Sequence, residues 1–160
     1  MDFRERLQNA ANRGARARSA RETAEAAEAL SEEECRRLHS QHRLELSDHI
    51  EACIQQLADN FPGFRVETIV DDKGWGAGVS RDDLGIRGGK RNNFFSRLQV
   101  VVEPFNSYQV VAIGAKGAVR NKESFTRNHY DAIGDYDAAR FKELIETWVL
   151  DYAELYAASS

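Results

Sequence analysis

At Pro62 and Gly63 the spacing of apolar residues in this chain changes from helical to strand-like, and that change limits what can be built on either side of it. Before it, Cys35, Leu38, His39, His42, Leu46, His49, Ile50, Cys53 and Leu57 fall within about 60° of one line at about 100° per residue, the stripe of a helix covered on one side. Ser31 and Glu34 make a capping-box pattern, with Leu30 and Cys35 placed as a hydrophobic staple. The spacing therefore predicts a helix that begins at Ser31 and stops before Pro62. After it, Phe64, Val66, Thr68 and Val70 alternate, and Trp75, Ala77 and Val79 alternate again beyond the turn residues 71–74, which reads as a hairpin.

Residues 94–103, 108–115 and 118–125 read as three further strands, joined by a turn at 104–107 and a tight turn containing Gly117. Residues 81–93, charged and carrying Gly85, Gly88 and Gly89, read as a polar, mobile loop. Phe141, Leu144, Ile145, Trp148, Tyr152, Leu155 and Tyr156 form the stripe of a second helix, with Asp135 or Asp137 as its N-cap. Five strands at about 4.8 Å spacing make a sheet roughly 24 Å wide, which two helices of about 10 Å diameter each can cover. The expected fold is α+β: a five-stranded antiparallel sheet with an N-terminal and a C-terminal amphipathic helix packed on one face. Residues 1–30, rich in Ala, Arg and Glu, read as a basic N-terminal arm, flexible or weakly helical, and residues 31–160 as a single domain. This order of elements resembles that of helix-grip and related ligand-binding folds, in topology alone.

The net charge of −4 hides an alternation: residues 1–21 carry +4, 22–60 carry −7, 61–130 carry +4 and 131–160 carry −5. A pI near 5.6 argues against bulk affinity for nucleic acid or anionic membranes, while a local basic face stays effective because screening acts over about 10 Å. No apolar run reaches the roughly 20 residues that span a bilayer, and Cys35 and Cys53, about 27 Å apart along one helix, cannot bond within it. Both points fit a cytoplasmic location. Arg4, Arg6, Arg13, Arg16, Arg18 and Arg21 lie among Asp2, Glu5 and Glu22, which suits an exposed basic arm better than a targeting leader.

Pairing Glu103 with Tyr108 puts Phe94, Leu98, Val100, Val102, Val111 and Ile113 on the core face. Arg97, Gln99, Val101, Tyr108, Val110, Ala112 and Gly114 then share the outer one. A three-residue turn at Gly117 would add Arg120 and Lys122 beside Arg97, with Gln99, Ala112 and Arg120 in one cross-strand row. The segment 85–93, GIRGGKRNN, adds Arg87, Lys90 and Arg91 among glycines whose backbone N–H groups suit an anion, although its spacing matches no phosphate-binding fingerprint.

No catalytic constellation emerges: there is no G-x-S-x-G elbow, and the paired aspartates at 71–72 and 82–83 sit in turns. Cys35, His39 and His42 lie more than a helical turn from His49 and Cys53, so no metal site is expected along that helix. The sequence thus points to a non-enzymatic interaction domain, without cofactor or membrane attachment, that binds an acidic protein segment through Arg97, Arg120, Lys122 and Tyr108, assisted by Arg87, Lys90 and Arg91. Two alternatives stand beside it: a pocket for a small anionic ligand, floored by Ala112 and Gly114, and sequence-independent nucleic-acid binding through the arm and the 85–91 loop. A homodimer is left open.

Overall fold

The computed structural model describes residues 2–87 and 90–159, without the side chains of 27–30, 84–87, 90–92 and 124. Contacts divide the chain into two units, Met1–Arg37 and Leu38–Ser160.

The first unit is the opening stretch of a single helix, α1, which runs Phe3–Asn60. The helix does not begin at Ser31. Its start is set by Asp2, whose carboxylate accepts the Glu5 N–H at 2.8 Å, so the sequence's working cap lies at the far end of the Ala/Arg/Glu stretch. Ala, Arg and Glu are strong helix formers, and a Ser-x-x-Glu pattern cannot stop a helix when the residues before it also favour one. Glu34 is held instead by Arg37, three residues on along the same helix. This stretch shows no buried face among its described side chains and is supported by local pairs such as Arg18–Glu22 at 3.9 Å and Gln8–Asn12 at 3.2 Å; Phe3 stands 75% exposed and Leu7 59%.

In the second unit the rest of α1 buries His39, Leu46, Ile50, Ile54, Leu57 and Ala58. The buried line passes through Ile54 and leaves Cys53 and His49 half-buried on its flank, because the larger aliphatic side chain takes the central position. At the helix end Gly63 adopts φ 112°, and the Arg81 guanidinium lies 2.9 Å from where its Cβ would be. Arg81 donates to the Pro62 carbonyl at 2.7 Å and to Asp83 at 2.6 Å, and Asp83 accepts from the Tyr156 hydroxyl at 3.2 Å. One cation thus ties the end of α1 to the sheet and the last helix.

The sheet is a meander of β1 Arg65–Asp71, β2 Gly74–Arg87, β3 Lys90–Val102, β4 Val110–Val119 and β5 Lys122–Ala132, antiparallel throughout and in the order β1-β2-β3-β4-β5. Residues 81–93 are therefore not a loop: β2 and β3 pair as far as Arg87 opposite Lys90, because a long hairpin satisfies the backbone groups that a loop would leave to water. Residues 88 and 89 lie outside the described residues. Val79, Leu98 and Gly117 form one cross-strand row and Ala77, Val100 and Ala115 the next, all on the face covered by the helices.

The expected faces of β3 and β4 hold, but their register differs by four residues: Gln99 lies opposite Lys116, not Ala112. A four-residue slip keeps every side chain on its face, which is why alternation alone could not detect it. The strand also continues through Gly117, and the tight turn falls at Arg120 and Asn121, with φ 49° and 69°. Asn121 is the reason: its backbone N–H reaches the Phe95 carbonyl at 2.8 Å, its Oδ1 accepts the Phe95 N–H at 2.8 Å, and its Nδ2 donates to the Asn93 carbonyl at 3.0 Å.

After a short 3₁₀ turn at Ile133–Asp135, α2 runs Ala138–Ala158 with Asp137 as N-cap, accepting the Ala139 N–H at 3.1 Å. Its buried face is Phe141, Ile145, Trp148, Val149, Tyr152 and Tyr156. Tyr152 packs edge-on to Phe125, and its ring lies 3.0 Å from where a Cβ on Gly117 would be. Its hydroxyl donates to the Ala118 carbonyl at 2.9 Å.

Two measurements follow from this packing. A Cβ on Gly76 would lie 1.9 Å from the Val100 carbonyl oxygen, so Gly76→Ala should lower stability by about 3 kcal/mol, at the upper end of overpacking costs, in chemical denaturation. His39 is buried with no partner for Nε2, and His42 stacks on Tyr136 at 4.0 Å. Burial pushes both imidazoles down: for His39, Arg43 and His42 add to the effect and the Glu103 backbone opposes it, while for His42 it is opposed by Glu45. The Tyr136 hydroxyl beside them is pushed up to about 12 by burial, Glu45 and Asp137, and so stays neutral. The unfolded chain therefore binds more protons as pH falls through about 6.5, and stability should drop from there towards pH 5. His39→Leu should flatten that slope in thermal denaturation followed across the same range.

Candidate functional site

The helices cover one face of the sheet and leave the other to solvent, so the open face is built from the residues that alternate with the core. On β2 these are Gly74, Gly76 and Gly78, which offer no side chains, and Ile69 of β1 lies over the gap, with Cδ1 3.4 Å from where a Cβ on Gly78 would be. Ile69 is buried although it points away from the helices. Beside it, Val101 lies opposite Gly114, which lies opposite Asn128. The bare glycines and Ile69 leave a groove of about 670 Å³, lined by strands β1, β3, β4 and β5 and by the loop 104–106.

The polar groups of this groove follow from the register. Along β3 the outer face presents Arg97, Gln99 and Val101, with Glu103 just past its end, roughly 20 Å of extended chain at about 3.3 Å per residue. Lys116 lies opposite Gln99, so Arg97 and Lys116 form a cationic end. Glu103, Asp71 and Lys73 stand at the other end, near the β1–β2 turn. Arg97 is held by Glu123 of β5 at 2.8 Å. Over Gly114 the Asn128 Oδ1 and Glu103 Oε1 converge, 3.3 and 3.8 Å from the site a Cβ would occupy, so the floor carries acceptors that a larger residue would displace.

Among the described residues expected to bind an acidic segment, Arg97 alone lines this groove; Gly114, expected as the floor of a pocket, lines it too, while Ala112 lines the adjoining recess. Arg120 does not join it: as a turn residue it swings towards Phe94, with its guanidinium 5.7 Å from the ring, on the side of the sheet that the helices cover. Lys122 is exposed opposite Val119 at the end of the β4–β5 hairpin. The cause is the two-residue turn, which shifts both cations out of the row assigned to them. Lys116 and Lys73 take their places, and neither stood out in the sequence, because only the true register sets Lys116 opposite Gln99. Tyr108 is 83% exposed and lies in an adjoining recess of about 480 Å³ with Val110, Ala112 and Tyr130. The side chains of Arg87, Lys90 and Arg91 lie outside the described residues.

A second cluster lies on the helix side. His49 and Cys53, one turn apart on α1, face Glu146 of α2: His49 Nε2 is 3.6 Å from Cys53 Sγ and 3.5 Å from Glu146 Oε1. They border a groove of about 650 Å³ between the two helices, whose walls include Ala52, Gln56, Asn60 and Ala153. Sequence reasoning sought further ligands along α1 itself, whereas the third group comes from the facing helix. The i,i+4 spacing of His49 and Cys53 was the available signal. Burial and the Glu146 charge push the Cys53 thiol up, which favours the protonated form over a nucleophilic thiolate.

Comparison with protein families, with curated proteins and with solved structures finds no match to this chain.

The groove cations contribute little to holding the fold together, since an exposed ion pair contributes about 0–1 kcal/mol. Arg97→Ala and Lys116→Ala should each change unfolding free energy by less than about 1 kcal/mol, measured by urea denaturation.

Proposed function

We propose that this is an interaction domain that binds an acidic protein segment along the outer face of its sheet, without catalysis. The observation that supports it is the groove itself: a recess of about 670 Å³ whose walls carry Arg97 and Lys116 at one end, beside small residues that let a backbone come close. Its volume lies within the range of about 300–1,000 Å³ usual for binding pockets. Carboxylates of an extended segment meet Arg97 and Lys116, while Gln99 and Asn128 supply amides for its backbone and Glu103 accepts from its N–H groups. Arg97 already has Glu123 as a partner, so a bound carboxylate exchanges with one that is in place, and the guanidinium stays oriented in the free protein. Tyr108 and Tyr130 extend the surface past Glu103 with apolar area.

A second reading, a small anionic ligand in the same groove, draws on the bare floor at Gly114 and differs only in what fills the recess. The two separate by competition. A fluorescent Glu-rich peptide should bind in an anisotropy titration, with affinity falling about tenfold or more on Arg97→Glu and again on Lys116→Glu, and weakening as salt rises. Unchanged binding in both variants would remove the groove from the reading. Displacement of the peptide by small di- and tricarboxylates at comparable concentration would favour the second.

A further inference from the structure

We propose that His49, Cys53 and Glu146 form a zinc site at the seam between α1 and α2. The three ligand atoms lie within 4.8 Å of one another, drawn from two helices that pack in the same unit. In a tetrahedral site with a zinc–sulfur bond of about 2.3 Å and zinc–nitrogen and zinc–oxygen bonds of about 2.1 Å, neighbouring ligand atoms stand roughly 3.4–3.6 Å apart. His49 Nε2 meets both its neighbours at that spacing, 3.6 Å to sulfur and 3.5 Å to oxygen. Only the sulfur-to-carboxylate distance must close, and Glu146, exposed on α2, is free to turn.

The arrangement around the imidazole separates a metal site from a catalytic triad. In a nucleophile–base–acid chain the nucleophile and the orienting carboxylate use different ring nitrogens. Here the Glu146 carboxylate and the Cys53 sulfur both approach Nε2. One nitrogen cannot serve both as a hydrogen-bond partner, whereas a cation placed between the three atoms takes a lone pair from each. On binding, the thiol releases its proton to solvent, and thiolate and carboxylate together balance the two positive charges of zinc. A set of one nitrogen, one sulfur and one oxygen suits a borderline-soft ion with tetrahedral preference and disfavours magnesium or calcium, which take oxygen ligands. Three protein ligands leave a fourth position facing the groove of about 650 Å³, where Gln56 and Asn60 stand.

The test uses the full chain, stripped of metal and titrated with zinc against a chromophoric chelator, then with cobalt(II) as a spectroscopic probe. One zinc per chain is expected. Cys53→Ser and Glu146→Gln should each weaken it by about 100-fold or more, beyond the 10- to 100-fold usual for losing an outer-shell partner, while Cys35→Ser should leave it unchanged. The cobalt form should show a near-ultraviolet thiolate charge-transfer band that Cys53→Ser abolishes. Glu146→Gln alters an exposed side chain, and circular dichroism verifies that it stays folded. Zinc binding that neither variant weakens, or cobalt spectra without the thiolate band in the unaltered chain, would overturn the proposal.

Discussion

The contact on which the domain's arrangement rests is the wedge of Tyr152 into β4. Its ring fills the space left by Gly117, edge-on to Phe125, and its hydroxyl satisfies the Ala118 carbonyl at the point where β4 and β5 fall out of regular register. A carbonyl oxygen has two lone pairs, so the Tyr152 hydroxyl can bond it from the helix side while Ala118 faces Arg97 across the sheet. Tyr152 thus finds a partner for its buried hydroxyl and places its ring in the core at once. Glycine at 117 is the other half of the contact, since any side chain there would displace the ring. The position of α2 along β4 is fixed by this pair, and with it the places of Asp137, Glu146 and Tyr156.

From that anchor the Arg81–Asp83–Tyr156 network follows. Tyr156 lies one turn beyond Tyr152, and its hydroxyl meets Asp83 because α2 is set at that height over the sheet. Asp83 then orients Arg81, and Arg81 closes the end of α1 at Pro62. The aromatic rings of Phe61, Phe64 and Tyr156 pack edge-on around this link, so its charges sit at the rim of an apolar cluster. With both helices held on one face, the backbone of the other is left to the glycines of β2, which neither fill nor cover it.

How far the fold could be read in the sequence depends on which signals are periodic. The switch at Pro62–Gly63, the alternation on β3 and β4 and the stripe of α2 were all legible, because burial on one face imposes a fixed period. Three features were not. The start of α1 was hidden because a polar helix shows no stripe, and a capping pattern at Ser31 stood in for the cap that Asp2 provides. The β2–β3 hairpin was hidden by charged and glycine residues that resemble a loop. The turn at Arg120–Asn121 was hidden because its cause lies in hydrogen bonds to Asn93 and Phe95, residues of another strand. The last error carried most weight for the site: it put Arg120 and Lys122 beside Arg97, where the register puts Lys116.

The seam between the helices shows the same division between packing and chemistry. Among the residues that line it are Ala52, Cys53 and Ala153, small side chains at positions where Leu or Ile would fill more of the space. Leu57, Phe61, Val149 and Leu150 border the same groove, and away from it the two helices use such residues freely, with Leu46, Ile50 and Ile54 on one and Ile145 and Trp148 on the other. Where they stop, the neighbouring positions carry His49 and Glu146. A seam selected for stability alone would be closed further with aliphatic side chains, whereas this one stays open over an imidazole whose Nε2 lies 3.6 Å from a thiol and 3.5 Å from a carboxylate. The outer groove repeats the pattern with Gly114 beneath Asn128 and Glu103. In both places small residues give up contact area beside polar groups, and that local sacrifice, more than any single charged residue, marks where a ligand is to be sought.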